Sequence, residues 1–136
     1  MTATTRERTL TEMDHTRLSR LLRSHTLAAR KNHPIEDVLD AALLVPSPDV
    51  APDVVTMDSQ VVLALPNGER KTLTLCYPDV AEPSQGFVSV LSPVGSSLLG
   101  LRVGEHARWR TPAGDASSAE VLAILFQPEA SRFCTA

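Results

Sequence analysis

The chain has 136 residues, 43% of them apolar, and a net charge of −3. That length fits one ordinary domain or a small domain with a helical appendage, and no run approaches the ~18 apolar residues of a membrane span. Residues 1–33 carry seven Arg/Lys against three Asp/Glu, whereas residues 34–136 carry six against thirteen. A basic arm on an acidic body suits a charged protein partner better than direct sequence-specific contact with nucleic acid.

Residues 1–10 lack periodicity and read as a frayed tail. Thr11 is placed as a helix N-cap, with Asp14 as a weaker form of the capping-box glutamate. Leu18, Leu21, Leu22, His25 and Ala28 or Ala29 fall on one helical face, which predicts a helix over about residues 11–30. Lys31-Asn32-His33 interrupts it, and Pro34 suits the first position of a second helix. The stripe of that helix is Ile35, Val38, Leu39, Ala42 and Leu43. Two stripes joined by a short loop predict an antiparallel helical hairpin, so residues 1–45 form the first unit. Its tip carries Arg30, Lys31 and His33, with Glu36 and Asp37 beside them. Glu36 and Asp37 lie in the first turn of the second helix, where carboxylates favour the positive end of the dipole.

Three prolines within residues 46–53 predict a linker. Beyond it the hydrophobic period changes to two. Residues 59–65 and 71–77 read as strands around the turn Pro66-Asn67-Gly68, with Leu73, Leu75 and Tyr77 on one face. A polar loop with Pro78, Pro83 and Gly86 leads to a short strand over residues 87–91. Residues 95–101 read as a short apolar helix, and residues 107–110 and 120–127 as closing strands around Pro112-Ala113-Gly114. The fold class is α+β: the hairpin, then a curved antiparallel sheet with one short helix over residues 54–130, and a loose tail over 131–136.

Few residues carry chemistry. Ser92-Pro93-Val94-Gly95-Ser96-Ser97 invites a nucleophile reading, but lacks the Gly-x-Ser-x-Gly elbow and suits a Ser-capped, Pro-started helix instead. His15, His25 and His33 are spaced too far apart for a helical metal pair, which needs about i, i+4. Adjacent acids such as Glu36 and Asp37 can hold magnesium, yet acids in a first helical turn also stabilise with no further role. Five aromatics, Tyr77, Phe87, Trp109, Phe126 and Phe133, argue against an aromatic-lined pocket. No cofactor or metal is expected. Cys76 and Cys134 form no Cys-x-x-Cys pair, and residues 1–14 hold no apolar h-region, so a cytoplasmic protein with reduced thiols is expected.

From Phe87 the chain reads Phe-Val-Ser-Val-Leu-Ser-Pro-Val-Gly-Ser-Ser-Leu-Leu-Gly-Leu-Arg-Val-Gly. This resembles the C-terminal domain of the Gre transcription elongation factors, and the likeness continues through Thr111-Pro112-Ala113-Gly114 and the last strand. Val55-Thr56-Met57-Asp58-Ser59, Tyr77-Pro78-Asp79 and Leu125-Phe126-Gln127-Pro128-Glu129 are similar to one branch, the regulator of nucleoside diphosphate kinase family. The resemblance implies an FKBP-like C-terminal domain that grips the rim of the secondary channel of bacterial RNA polymerase. It implies polymerase-facing positions at Ser92, Pro93 and Val94, with Asp79 and Glu82 on a neighbouring loop.

In cleaving members of that family, two acids at the tip of the hairpin help hold a catalytic magnesium ion. A helix of about 18 residues is about 27 Å long, roughly half a Gre arm, and this tip is basic. The expectation is therefore a monomeric polymerase-binding regulator that competes with Gre factors without stimulating transcript cleavage. The alternatives are an FKBP-like prolyl isomerase, an active cleavage factor and direct control of nucleoside diphosphate kinase. A fold alone does not grant the isomerase activity.

Overall fold

The computed structural model describes residues 8–24, 34–111 and 113–133. The chain enters through a short strand, β1 (Thr9–Thr11), followed by α1 (Glu12–Ser24), α2 (Pro34–Ala41) and β2 (Leu43–Val45). Thr11 caps α1 as its residue type predicts, its Oγ1 accepting the Asp14 N–H at 3.0 Å. The reciprocal half of a capping box is not made. Asp14 is too short to reach back easily, and its carboxylate accepts the Met57 N–H instead, at 3.1 Å. Leu18 and Leu22, one turn apart, face the core together with Ile35, Val38 and Leu39 of α2. His15 Nε2 lies 3.0 Å from Leu39 O and bridges the two helices. The expected course of α1 to residue 30, and the tip residues Arg30, Lys31 and His33, fall outside the described residues.

Residues 9 and 10 are not frayed. β1 pairs in parallel with β2, Thr9 opposite Leu43 and Thr11 opposite Val45, and Leu10 is only 1% exposed. Arg8 joins them, donating from Nη1 to Leu99 O at 2.8 Å and to Ser96 O at 3.3 Å. These are carbonyls that a short helix leaves unpaired at its C-terminal end. Gly100, at φ +84, lies against this segment, and a Cβ there would meet Arg8 Cβ at 2.9 Å.

The main sheet has the order β5-β4-β3-β7-β6, built from β3 (Gln60–Ala64), β4 (Arg70–Cys76), β5 (Phe87–Ser89), β6 (His106–Arg110) and β7 (Ala116–Phe126). The Pro66-Asn67-Gly68 turn forms as expected, Gly68 N–H donating to Leu65 O at 2.9 Å. The sheet is not wholly antiparallel, because β4 and β5 run in parallel. Pro78 and Pro83 each open a 3-10 turn, Pro78–Val80 and Pro83–Gln85. These carry the chain back to start β5 alongside β4, a return that a tight hairpin could not make. Register shifts between Gln60/Val61 and Val62/Leu63 interrupt the β3–β7 ladder and curl the sheet. The short helix α3 (Pro93–Leu98) packs on β6.

One hydrophobic cluster runs from Leu10, Leu18 and Ile35 through Val55, Val61 and Leu75 to Leu98 and Val121. Helices and sheet share it. Residues 46–53 are accordingly pinned rather than a free linker: Ser47–Asp49 makes a 3-10 turn and Val50 is buried. Val55 N–H donates to Leu101 O at 2.8 Å. Gln127 Nε2 donates to Ala51 O at 2.9 Å and Val54 O at 2.8 Å. The expected tail begins as a helix, α4 (Pro128–Phe133), whose Ala130 N–H is capped by Gln127 Oε1 at 3.1 Å. Proline at its first position and a side-chain acceptor just before it suit a helix start.

Candidate functional site: the Ser92 cap and the Asp14 cluster

Ser92 terminates the turn after β5 and begins α3. Its Oγ accepts the Gly95 N–H at 3.1 Å and donates to Ser89 O at 2.7 Å. The next two serines are committed as well, Ser96 Oγ donating to Ser92 O at 3.0 Å and Ser97 Oγ to Val94 O at 2.6 Å. All three hydroxyls hydrogen-bond to the local backbone. Gly95 is required by contact: a Cβ on it would lie 2.0 Å from Ser89 O. The Ser-Pro-x-Gly pattern therefore encodes a tight strand-to-helix corner that leaves Pro93 exposed, with Ser92 and Val94 half-buried.

The other expected partner-facing residues lie close to β5. Parallel pairing sets Cys76 opposite Ser89, so the Pro78–Val80 turn and the Ser92 corner leave the same end of the sheet. Asp79 is exposed in that turn. Glu82 is exposed at the opposite end of β5, where its backbone exchanges hydrogen bonds with Phe87 at 2.8 and 3.1 Å. Val80 at 57% and Phe87 at 41% exposure give this side an apolar component. Sequence reasoning missed both, because a strand residue and a loop residue show no exposure in their pattern. Glu36 is half-buried and Asp37 exposed on α2. Asp37 lines a groove with Pro93 and Trp109, so it sits beside the body.

A second constellation was not anticipated. Asp14 of α1, Asp58 of the turn before β3 and Glu129 of α4 converge with Arg17 around a cavity of about 50 Å³. Thr56 Oγ1 donates to Glu129 Oε1 at 2.6 Å and lies 2.9 Å from Ser59 Oγ, while the Thr56 N–H donates to Ser59 Oγ at 3.0 Å. Asp58 adopts a left-handed φ of 68°, which Asp tolerates better than most residues. Burial pushes the Asp14 carboxyl up to about 6; Glu129 and Asp58 add to this, and the Met57 N–H and Arg17 oppose it. Asp58 is raised by its own burial and by Glu129.

Tyr77 is pushed up to about 12, by burial first and then by the charge of Asp14. No hydrogen bond of good geometry reaches its hydroxyl, although Arg17 is close enough to draw the phenol partly back down. Cys76 is buried and free, its thiol raised by burial and then by Asp58 and Asp79. A raised thiol is a poor nucleophile. The arrangement clasps α1, the turn before β3 and α4 together. Among the described residues no group of three or more His, Cys, Asp or Glu could hold a metal ion, and no helix is long and apolar enough to cross a membrane.

Residues 50–126 match the family described as transcription elongation factor, GreA/GreB, C-term. Over 127 residues the chain is 41% identical to the regulator of nucleoside diphosphate kinase of Escherichia coli (strain K12), covering 90% of this chain and 91% of that one. It is 35% identical over 82 residues to transcription elongation factor GreA of Geobacillus kaustophilus, covering 60% of this chain and 52% of that one. Among solved structures, a GreA/GreB transcription elongation factor from Nitrosomonas europaea is similar with a TM-score of 0.73 and 31% identity. That likeness covers 90% of this chain and 100% of the other.

Proposed function

The chain belongs to the GreA/GreB family of transcription elongation factors, and from that premise we propose that it binds RNA polymerase at the secondary-channel rim and competes there with cleaving Gre factors. It does not itself stimulate transcript cleavage. Membership makes it a transcription-related regulator; the docking site and the missing activity are the further steps.

One observation carries the second step. α1 begins at Glu12 and α2 ends at Ala41. A helical hairpin drawn between those limits has at most about 15 residues in each arm, or about 22 Å at 1.5 Å per residue. That arm is shorter still than the 27 Å expected from periodicity, and Glu36 and Asp37 lie near its attachment to the body. Acids held there do not reach a catalytic magnesium ion in the polymerase. Docking is supported by the corner at Ser92, Pro93 and Val94, where Pro93 is exposed, and by exposed Asp79 and Glu82.

Backtracked elongation complexes test both halves. The chain alone is expected to leave RNA length unchanged, and added with a cleaving Gre factor it is expected to slow cleavage in proportion to dose. Robust RNA shortening by the chain alone overturns the non-cleaving half. Failure to co-purify with core polymerase overturns the docking half.

A further inference from the structure

Among the described residues no strand pairs with the outer edge of β6. At one end of its hairpin the Thr111 N–H donates to Asp115 O at 2.9 Å, and at the other the Val121 N–H donates to Glu105 O at 2.9 Å. The register between them is continuous, from His106 opposite Glu120 to Arg110 opposite Ala116. Bonded and non-bonded pairs alternate along an antiparallel ladder. Ala107 and Trp109 therefore turn their backbone groups toward β7, and His106, Arg108 and Arg110 turn theirs away from it. β6 is the last strand of the sheet, and no backbone of a described residue bonds to that outward row.

Side chains give the edge two different faces. Trp109 is half-buried on the inner face, whereas Arg108 and Arg110 are exposed on the outer one. Arg110 Nη1 donates to Gly114 O at 3.1 Å, while Arg108 forms no ion pair with a described residue. Beside Trp109 runs a groove of about 540 Å³ with Val38, Leu91 and Pro93 among its lining and Arg8, Arg108 and Arg110 at hand. Those three arginines face one acid of the lining, Asp37. Residues 34–136 as a whole carry six basic groups against thirteen acidic ones, so the sign is locally reversed.

We propose that the β6 edge is a docking site for an extended, acidic segment of a partner protein that adds a strand to the sheet. Its backbone pairs with the outward groups of His106, Arg108 and Arg110. Alternate side chains then fall on opposite faces: carboxylates toward Arg108 and Arg110, apolar residues into the Trp109 groove. A second copy of this chain is the poorer occupant, because two β6 strands paired across a two-fold axis set basic residues against basic residues. A nucleic-acid backbone is poorer too, since phosphate binding draws on a broader basic surface than three arginines beside an acid. The groove shares Pro93 with the polymerase-facing corner proposed above, but a peptide test lets the two readings fail separately.

The probe is a fluorescein-labelled ten-residue peptide alternating Glu and Val, titrated with the full chain. Anisotropy follows the peptide, and emission follows Trp109, which is the only tryptophan in the sequence. Saturable binding with a shift of Trp109 emission is expected, and none for the same peptide with Lys in place of Glu. Arg108→Glu should weaken binding by about tenfold or more, with thermal unfolding unchanged within about 2 °C, as for an exposed side chain without partners. Arg108→Gln should give a smaller loss and serves if the charge reversal perturbs folding. A peptide with alternate amides N-methylated on the pairing edge should lose at least about tenfold.

No binding of the acidic peptide at millimolar concentration overturns the proposal. So does equal binding of the N-methylated peptide, or indifference to both Arg108 variants. Tighter binding of a fifteen-residue oligo-dT than of the peptide also overturns it and assigns the patch to nucleic acid.

Discussion

The carboxylate of Asp14 on α1 accepts the backbone N–H of Met57, 43 residues along the chain, at 3.1 Å. This bond ties the first helix to the turn that launches the sheet. Glu129 of α4 closes the same cluster through Thr56, so helix, turn and C-terminal helix are held at one point.

That point should make stability depend on pH in an unusual direction. The Asp14 carboxyl is raised from 3.8 to about 6 in the folded chain. Between those values the unfolded chain has lost the proton and the folded chain still holds it, so stability falls as pH rises through this window and then levels off. The contribution amounts to about 3 kcal/mol at most. Asp14→Asn keeps an acceptor for the Met57 N–H and removes the charge. Urea unfolding at pH 4, 5, 6 and 7 should show the native chain losing stability relative to this variant. A constant difference across the series refutes the assignment.

The corner at Ser92 separates structure from docking. Ser92→Ala removes the acceptor for the Gly95 N–H and should cost about 1 kcal/mol. Pro93→Arg should change stability by less than about 0.5 kcal/mol, because the residue is exposed and holds no hydrogen-bond donor. In pull-down with core polymerase, Pro93→Arg is expected to reduce retention although its unfolding curve stays native. Ser92→Arg is a poorer probe, since it confounds a lost cap with a lost contact.

Gly95→Ala should be more damaging than either. Its Cβ would lie 2.0 Å from Ser89 O and 2.9 Å from Val90 Cα, both backbone atoms. Backbone must shift to relieve the overlap, at a cost of about 2–3 kcal/mol. Thermal unfolding monitored by circular dichroism measures this directly, and a native melting temperature contradicts the geometry.

Gln127 should prove a structural residue despite its polarity. It is 3% exposed, donates to Ala51 O and Val54 O, and accepts the Ala130 N–H. Gln127→Ala strands two carbonyls near the Pro-rich segment and should cost about 2–3 kcal/mol. Hydrogen exchange is expected to rise first at Ala130 and Val54, whose amides border the lost contacts.

Local rules accounted for much of the chain. Thr11 as a cap, the Pro66-Asn67-Gly68 turn, the Ser92-Pro93 helix start and the strands at β3 and β4 all depend on neighbours within a few residues. Alternation of Leu73 and Leu75 marked the buried face, as the structure has it. Alternation puts Cys76 on the other face, yet it is 1% exposed too, its Sγ lying 3.5 Å from Val88 O of the neighbouring β5.

Tertiary structure decided what no short window holds. Thr9 and Leu10 look like tail until a partner strand 34 residues away covers them, at Leu43 and Leu44. Residues 46–53 read as a linker because prolines bar regular structure, yet the Ala51 carbonyl there finds a donor in Gln127. Asp14, Asp58 and Tyr77 are ordinary polar residues in sequence, and their pKa values rise only because folding removes water from all three. The family was readable in the local motifs from Phe87 to Gly104. The clasp at Asp14 and the position of Arg108 on the last strand of the sheet are consequences of long-range packing, where distances are set by the core and not by neighbours in the chain.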